Sequence, residues 1–398
     1  MAMNAPTRQT ETLTGLALAG RSGTWDMTLG EGRIVSLQPS QQSGGGFVMP
    51  PMADIHVHLD KTFTIDRMPR RATSLFDAID MMSEDAQRWT ADDLLRRAGG
   101  GLSRAFAHGT AVMRSHVDWL HPEAPAAWPV LCELAQHWQG RVALQLASLS
   151  PLDDLAEIGP TVAKAVRAAG GVLGAFVYRN DDLERKVAGV FDLAETYGLD
   201  LDFHVDEGVE PEARGIDAII AETARRGMGG HVLCGHGCAL SVRPPDDVAR
   251  VLEQAAAAGV GLTVLPGANS YLQDGGTGRT PRLRGLAPMH EARAAGVPIM
   301  IGSDNVRDGF YPYGDYDLWD VYRLAVLNGH LPHDDWLDAI SDTPARWLGR
   351  DLSLREGGPA SFIRFDATGP GDALSRAGTP RDVWHNGTRV PGFQGETS

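Results

Sequence analysis

The run Asp54-Ile55-His56-Val57-His58-Leu59-Asp60-Lys61 sets two imidazoles two residues apart, after an approach rich in Gly and Pro (Gly44, Gly45, Gly46, Pro50, Pro51). On a strand, alternate side chains share a face, so His56 and His58 lie together while Ile55, Val57 and Leu59 point the other way. Two imidazoles so placed can grip one metal ion. Further along the chain His204 is followed by Glu207, and His236 and Asp304 close short apolar runs of their own. Three imidazoles and a carboxylate (His56, His58, His204 and Asp304) make a hydrolytic ligand set with a position left for water. The expectation is one divalent ion per chain, zinc first, with iron or manganese also accepting these ligands. Such an ion lowers the pKa of a water toward roughly 7 and so supplies a hydroxide nucleophile at neutral pH. Asp304 can then accept a proton, Glu207 can face the substrate as general acid and base, and His236 can steady the attacking oxygen.

Each residue alone has a plainer explanation. A single His204 is commonly a packed, hydrogen-bonded histidine, Glu207 a solvated loop acid and Asp304 an N-cap. What favours the site is the order in which these residues follow one another at the ends of successive strands. His116, Asp118 and His121 fit a structural role better. Cys234 and Cys238 flank His236 within an apolar run, where cysteine behaves as a small hydrophobe, so no Cys-His-Cys metal cluster is expected. The Gly275-Gly276-Thr277-Gly278 stretch matches no phosphate-binding fingerprint and reads as a loop.

The elements that must position these residues alternate short β-rich runs with helical periodicity, the pattern of βαβ units around a parallel sheet. Eight strands centre on Ala53–His58, Thr110–His116, Val142–Ser148, Val172–Tyr178, Leu201–Val205, Val232–His236, Gly261–Leu265 and Pro298–Ser303. Helical stretches such as Ala124–His137, Asp181–Tyr197, Glu212–Arg226 and Asp246–Ala258 lie between them. Eight such units suggest an α/β fold, a (β/α)8 barrel with its active site at the C-terminal ends of the strands. Those ends carry His56 and His58, His116 and Asp118, the His204-Val205-Asp206-Glu207 run, His236 and Asp304-Asn305, while the third strand carries Gln145. Short strands with Gly turns from about Glu11 to Val48 return near Ala360–Phe365 and Asp382–Val390, where Asn386-Gly387 is a hairpin signal. The domain expectation is therefore a composite β-sandwich from residues 1–49 and 350–398 and a metal-dependent catalytic barrel over 50–349.

Composition bounds the partners. The 398 residues carry 51 acidic and 36 basic side chains, a formal net charge of −15. Without a basic run, neither nucleic acid nor an anionic membrane is an expected partner, and a small neutral or cationic molecule suits the charge better. The first twenty residues lack a signal-peptide pattern and no stretch of about 18 apolar residues occurs, so a cytoplasmic protein is expected. Three cysteines in so long a chain do not read as a disulfide framework. Barrels with a flanking β-domain commonly associate, so a homo-oligomer is expected.

Taken with their surroundings, these motifs resemble the amidohydrolase superfamily, and within it the cytosine deaminase branch with its triazine-cleaving relatives. The resemblance runs nearly end to end and rests on His56-Val57-His58-Leu59-Asp60, Arg114-Ser115-His116-Val117-Asp118, Leu144-Gln145-Leu146, Asp202 to Glu207, Gly235-His236 and Gly302 to Pro312. It implies a distorted barrel with a flanking β-sandwich, one catalytic metal and hydrolytic removal of an amino group from a nitrogen heterocycle with release of ammonia. It also implies that Glu207 shuttles protons, that His236 stands beside the hydroxide and that Gln145 binds the amide edge of the ring. Asn305, Phe310 and Lys61 fall at substrate-facing positions where cytosine deaminases carry other residues. The Asp-Lys after the histidine pair and the Ser-Asp-Asn-Val-Arg-Asp run are closer to the N-isopropylammelide hydrolases. The expected substrate is thus a cytosine-like or related ring presenting an acceptor, such as an oxo group, to Asn305. Hydrolysis of N-substituted amino-triazines, pterin deamination and a non-catalytic heterocycle-binding barrel are the alternatives.

Overall fold

The computed structural model describes residues 10–275 and 278–392. Gly276 and Thr277 of the glycine-rich stretch lie outside the described residues, as do the first nine residues of the chain.

Among the described residues, eight strands form one parallel sheet in chain order: Met52–Val57, Thr110–Asp118, Ala143–Pro151, Leu173–Val177, Leu201–Val205, Val232–His236, Gly261–Val264 and Ile299–Ile301. A parallel bridge between Val57 and Asp304, with the Asp304 N–H donating to the His56 carbonyl at 2.8 Å, joins the last strand to the first. This closure makes the sheet a (β/α)8 barrel, as the alternation of the sequence implies. The strands read as nearly continuous apolar runs because both faces are covered: Leu201–Val205 and Val232–His236 are buried at every position. Between them the helices Ala127–His137, Leu155–Ala169, Leu183–Tyr197, Gly215–Arg226 and Pro245–Ala258 each bury one stripe, such as Val248, Val251, Leu252 and Ala255.

One stretch departs from simple alternation. Between the first two strands lie two helices, Leu75–Ala86 and Ala91–His108. Ser74 caps the first by accepting from the Asp77 N–H, and Ala78, Met81 and Met82 form its buried side. Neither helix is among the helical stretches named from the sequence.

The chain divides into two compact units, one of Met1–Ala53, Ala105–Ala111 and Leu331–Ser398, the other of Asp54–Arg104 and Val112–His330. The first holds a seven-stranded sheet in the order Thr388–Val390, Arg381–His385, Phe362–Phe365, Phe47–Met49, Glu11–Leu18, Trp25–Gly30 and Arg33–Pro39. Strands from both chain ends meet where Phe47–Met49 pairs with Phe362–Phe365. Their inward residues, Leu16, Met27, Ile34, Val48, Phe362 and Trp384 among them, form one core. Asn386 and Gly387 both adopt positive φ in the turn between Arg381–His385 and Thr388–Val390, as a type I′ hairpin requires. No helix among the described residues is long and apolar enough to cross a membrane.

Candidate active site

At the C-terminal mouth of the barrel the strand ends bring four imidazoles and a carboxylate together. The Nε2 atoms of His56 and His204 are 3.0 Å apart, and those of His204 and His58 are 3.2 Å apart. Asp304 Oδ1 lies 3.2 Å from His58 Nε2 and 3.6 Å from His56 Nε2. All four residues are buried. His116 joins His56, His58 and His204 in the same cluster, and His236 forms a second grouping with His56 and Asp304. His116 thus lies against these residues, with its Nε2 3.2 Å from Asp202 Oδ2.

The local backbone is shaped for this convergence. Asp304 and His236, at the ends of their strands, take positive φ of 61° and 72°, a region costly for residues with a Cβ and found at functional sites. Gly235 has no side chain where one would meet the His56 ring at 2.8 Å. A larger residue there would push the imidazole out of the cluster.

These residues fit a divalent cation. Three Nε2 atoms and a carboxylate oxygen that all point at each other cannot satisfy one another by hydrogen bonding, because neutral imidazoles have one donor each. Both Asp304 oxygens lack a hydrogen-bond partner. Ligands about 2.0–2.1 Å from a tetrahedral centre stand about 3.3 Å apart, close to the spacing seen here. Burial first, then neighbouring imidazoles and, for His58, Lys61, pushes His56, His58 and His204 well below the ordinary histidine range, which favours the neutral form that a ligating imidazole takes.

Lys61 is buried beside the cluster, its Nζ 2.6 Å from Asp118 Oδ1, 3.6 Å from Asp60 Oδ2 and 3.1 Å from His58 Nδ1. Burial disfavours its charge, but the Asp118 and Asp60 carboxylates outweigh that and hold its pKa above the usual lysine value. Asp202 lies one layer deeper: its Oδ2 accepts from Arg114 Nη1 at 2.7 Å and lies 3.2 Å from His116 Nε2.

The cavity above the cluster has about 660 Å³ of free space, its open mouth included, and is lined by His58, Lys61, Asp118, His204, Glu207, His236, Asp304, Asn305 and Phe310. Leu75, Ile79, Met82, Leu149 and Phe176 supply apolar wall. Glu207 Oε1 lies 3.7 Å from His236 Nδ1, and burial pushes Glu207 up to about 8 against the pull of Lys61. His236 Nδ1 also lies 3.0 Å from Asn269 Nδ2. With that amide donating, neutral His236 carries its proton on Nε2, an atom without a partner. It is therefore a donor in the site rather than a fourth imidazole ligand.

Two of the expected substrate contacts are placed differently. Gln145 does not line the cavity; it sits beside Arg114 in the strand register and its Oε1 accepts from Arg114 Nε at 2.8 Å. The strand Ala143–Pro151 continues well past Gln145, and its mouth is made by Leu149, Ser150 and Pro151. The buried Ser150 hydroxyl has no partner and lines the cavity instead. Asn305 does line it, but its Nδ2 donates to Asp308 Oδ2 at 2.7 Å. Because a carboxylate accepts, this fixes the amide orientation and leaves Oδ1 and the second Nδ2 hydrogen not engaged with Asp308. One of the two Nδ2 hydrogens is thus directed to Asp308 rather than to an oxo group.

Ser150, Asn269 and the helix Leu75–Ala86 were not singled out from sequence. Spacing of Leu75, Ile79 and Met82 after Ser74 is a readable helix signal, but nothing in it says that the helix roofs a cavity. Ser150 and Asn269 lie in short mixed runs beside other polar residues and carry no local signal.

Residues 139–391 match the model of the Amidohydrolase family. The pterin deaminase of Rhizobium rhizogenes (strain K84) is 38% identical over 349 residues, covering 86% of this chain and 80% of that protein. The N-isopropylammelide isopropyl amidohydrolase of Pseudomonas sp. (strain ADP) is 21% identical over 89% of this chain and 90% of its own length. Among solved structures, 5-methylcytosine deaminase from Klebsiella pneumoniae liganded with 5-fluorocytosine superposes with a TM-score of 0.86 at 23% identity, covering 98% of this chain and 99% of that one. N-isopropylammelide isopropylaminohydrolase from Burkholderia multivorans gives 0.80 at 24% identity, with 96% and 98% covered. The structural likenesses speak for the fold, and the family match over more than half of the chain, joined to the buried histidine and aspartate cluster, shows that this chain belongs to the amidohydrolase family.

Proposed function

We propose that this protein is a hydrolytic deaminase of an amino-substituted, oxo-bearing nitrogen heterocycle, with a fused two-ring, pterin-type substrate ahead of a single pyrimidine or triazine ring. One observation carries the reading: the buried Glu207 shares a cavity with His58, His204, Asp304 and the donor His236. The similarity to a pterin deaminase supports the ring type.

His56, His58, His204 and Asp304 would hold the divalent ion, which when bound supplies a Lewis acid that lowers the pKa of water toward roughly 7. The chain's own residues do the rest. Apolar walls from Ile79, Met82, Leu149 and Phe176 sandwich a planar ring and exclude bulk water. Water adds to the amine-bearing carbon, a C–O bond forms and the C–N bond breaks. Glu207 moves the proton released by water to the ring nitrogen and then to the departing amine, which leaves as ammonia. Burial raises the Glu207 carboxyl, which suits it to take up a proton and pass it on. His236 Nε2–H, held in that tautomer by Asn269, donates to the developing oxyanion. Ser150 and Asn305 offer polar contacts to the ring edge.

The test is a panel of aminated pterins, pyrimidines, purines and triazines scored for ammonia release by the metal-loaded protein. Pterin-type rings are expected to turn over best. Cytosine as the best substrate by a wide margin would overturn the ring assignment, and release of alkylamine from N-alkylated triazines alone would replace deamination by that hydrolysis.

A further inference from the structure

Glu207 stands on a stretch with no regular structure of its own. Its strand ends at Val205, the next helix begins at Gly215, and neither helix nor strand covers residues 206–214. A carboxyl that passes protons between fixed points needs a fixed Cα–Cβ direction, and on a loop no ladder of backbone hydrogen bonds supplies it.

The fold supplies it through the two peptide groups that flank the Glu207 Cα. On one side the Asp206 carbonyl accepts from the Ala239 N–H at 3.1 Å, and the Asp206 carboxylate accepts from the Gly215 and Ile216 N–H groups at 3.0 Å each. On the other side the Glu207 carbonyl accepts from Gln273 Nε2. Because a carbonyl only accepts, that contact fixes which end of the Gln273 amide faces Glu207. Gln273 is buried, and its stem is packed against the returning chain: a Cβ on Gly285 would stand 2.4 Å from Gln273 Cγ. It closes the helix Pro266–Leu272, its own N–H donating to the Asn269 carbonyl at 3.0 Å. Asn269 is the residue whose Nδ2 lies 3.0 Å from His236 Nδ1. One turn of chain thus carries both the side chain that touches the His236 ring and the side chain that holds the Glu207 backbone. The groups so held face each other, with Glu207 Oε1 3.7 Å from His236 Nδ1.

We propose that Gln273 is a positioning residue for the reaction: by tying the Glu207 backbone to the turn that also meets His236, it sets the carboxyl at the place where protons are passed. The inference rests on the reading of Glu207 as proton carrier and deepens it. Gln273 does not line the catalytic cavity, so its effect on turnover runs through Glu207. Without this donor the peptide after Glu207 is free to rotate, and a misplacement of about 1 Å can cost about 10²-fold in rate.

The test is a double-mutant cycle on the metal-loaded protein, with pterin or whichever ring of the panel above releases ammonia fastest. Gln273→Met keeps the length of the side chain and removes the donor. In the parent background it is expected to lower kcat about tenfold or more, with KM within about threefold of the parent and ion content still near one per chain. In the Glu207→Gln background the same substitution is expected to lower kcat by less than about twofold further, because the carboxyl it positions is gone. Gln273→Asn, an amide one methylene shorter, is expected to behave in the same way and carries the test if the methionine variant does not fold. An equal fold-loss in both backgrounds, a rise in KM with kcat unchanged, or no change in either constant would overturn the positioning role and leave the deaminase reading intact. Near-native turnover of Glu207→Gln would overturn the role given to Glu207 and this inference with it. Absence of turnover by the parent on every ring would overturn the deaminase reading itself.

Discussion

Asp202 and Asp304 are both buried within one barrel and are driven in opposite directions. Burial raises each. For Asp202 the effect is outweighed by His116 and Arg114, which hold the carboxyl below its ordinary range. For Asp304 burial is reinforced by Glu207 and Asp308, and the carboxyl is pushed well above that range. The difference lies in where the countercharge comes from. Asp202 has a guanidinium at 2.7 Å supplied by the chain, with Gln145 bracing the same arginine. Asp304 faces imidazoles that burial keeps neutral, and its nearest help is Lys61, already tied to Asp118. The deeper layer has its countercharge within the chain. The upper layer is a charge arrangement that a cation from outside would complete.

This contrast can be broken from either side. The largest effect is expected from removing the ion: dialysis against a chelator should abolish ammonia release, and zinc, iron or manganese should restore it, with close to one ion per chain by elemental analysis. Activity that survives with no ion bound would remove the upper layer's assigned role.

Glu207→Gln comes next. The amide keeps the shape but cannot carry the proton, so turnover should fall about 10²–10⁴-fold. Ion content should stay near one per chain, because Glu207 is outside the ligand set. Near-native turnover of this variant would show that another group moves the proton.

Arg114→Leu attacks the deeper layer. It leaves Asp202 buried beside His116 without its guanidinium, and removing one partner of a buried pair costs about 3–5 kcal/mol. A shift of that size should appear in the denaturant midpoint even in protein freed of metal. The measurement thereby separates the structural layer from the catalytic one, and an unchanged midpoint would mean that Arg114 has no structural role.

The smallest expected effect sharpens the comparison by pH. Asp308 accepts from Asn305 Nδ2 and from the Phe310 and Tyr311 N–H groups, yet burial still raises it from 3.8 to about 6. A folded-state pKa above the unfolded one means that the native protein binds the proton more tightly. Its contribution to stability is therefore present at low pH and is lost as pH rises from about 4 through about 6, by at most about 3 kcal/mol. Asp308→Asn should flatten that part of the stability profile of the metal-free protein, as measured by urea unfolding at a series of pH values. A slope equal to that of the parent would place the titration elsewhere.

Much of this was legible in the sequence because it is written in local periodicity and in order along the chain. The eight strands lie where apolar runs alternate with helical spacing, and Leu201–Val205 and Val232–His236 have the bounds their residues imply. His56 and His58 share a face because a strand repeats every two residues, and Asn386-Gly387 turns a hairpin because both positions tolerate positive φ. His204, His236 and Asp304 could be named because each ends an apolar run, and barrel strands all present that end to one place.

What only the tertiary structure decided is depth and partnership. Gln145 and Ser150 belong to one strand, but the first lies level with Arg114 and the second reaches the mouth, and register between strands is set by the whole closed sheet. Asp308 takes one of the two Asn305 amide hydrogens, and Asn269 comes within 3.0 Å of the His236 ring. The helix Leu75–Ala86 became a cavity wall only when the segment between the first two strands folded back over the mouth. Hydrogen-bond partners brought from distant parts of the chain leave no mark in local residue patterns, and they are what divided these polar residues into scaffold and site.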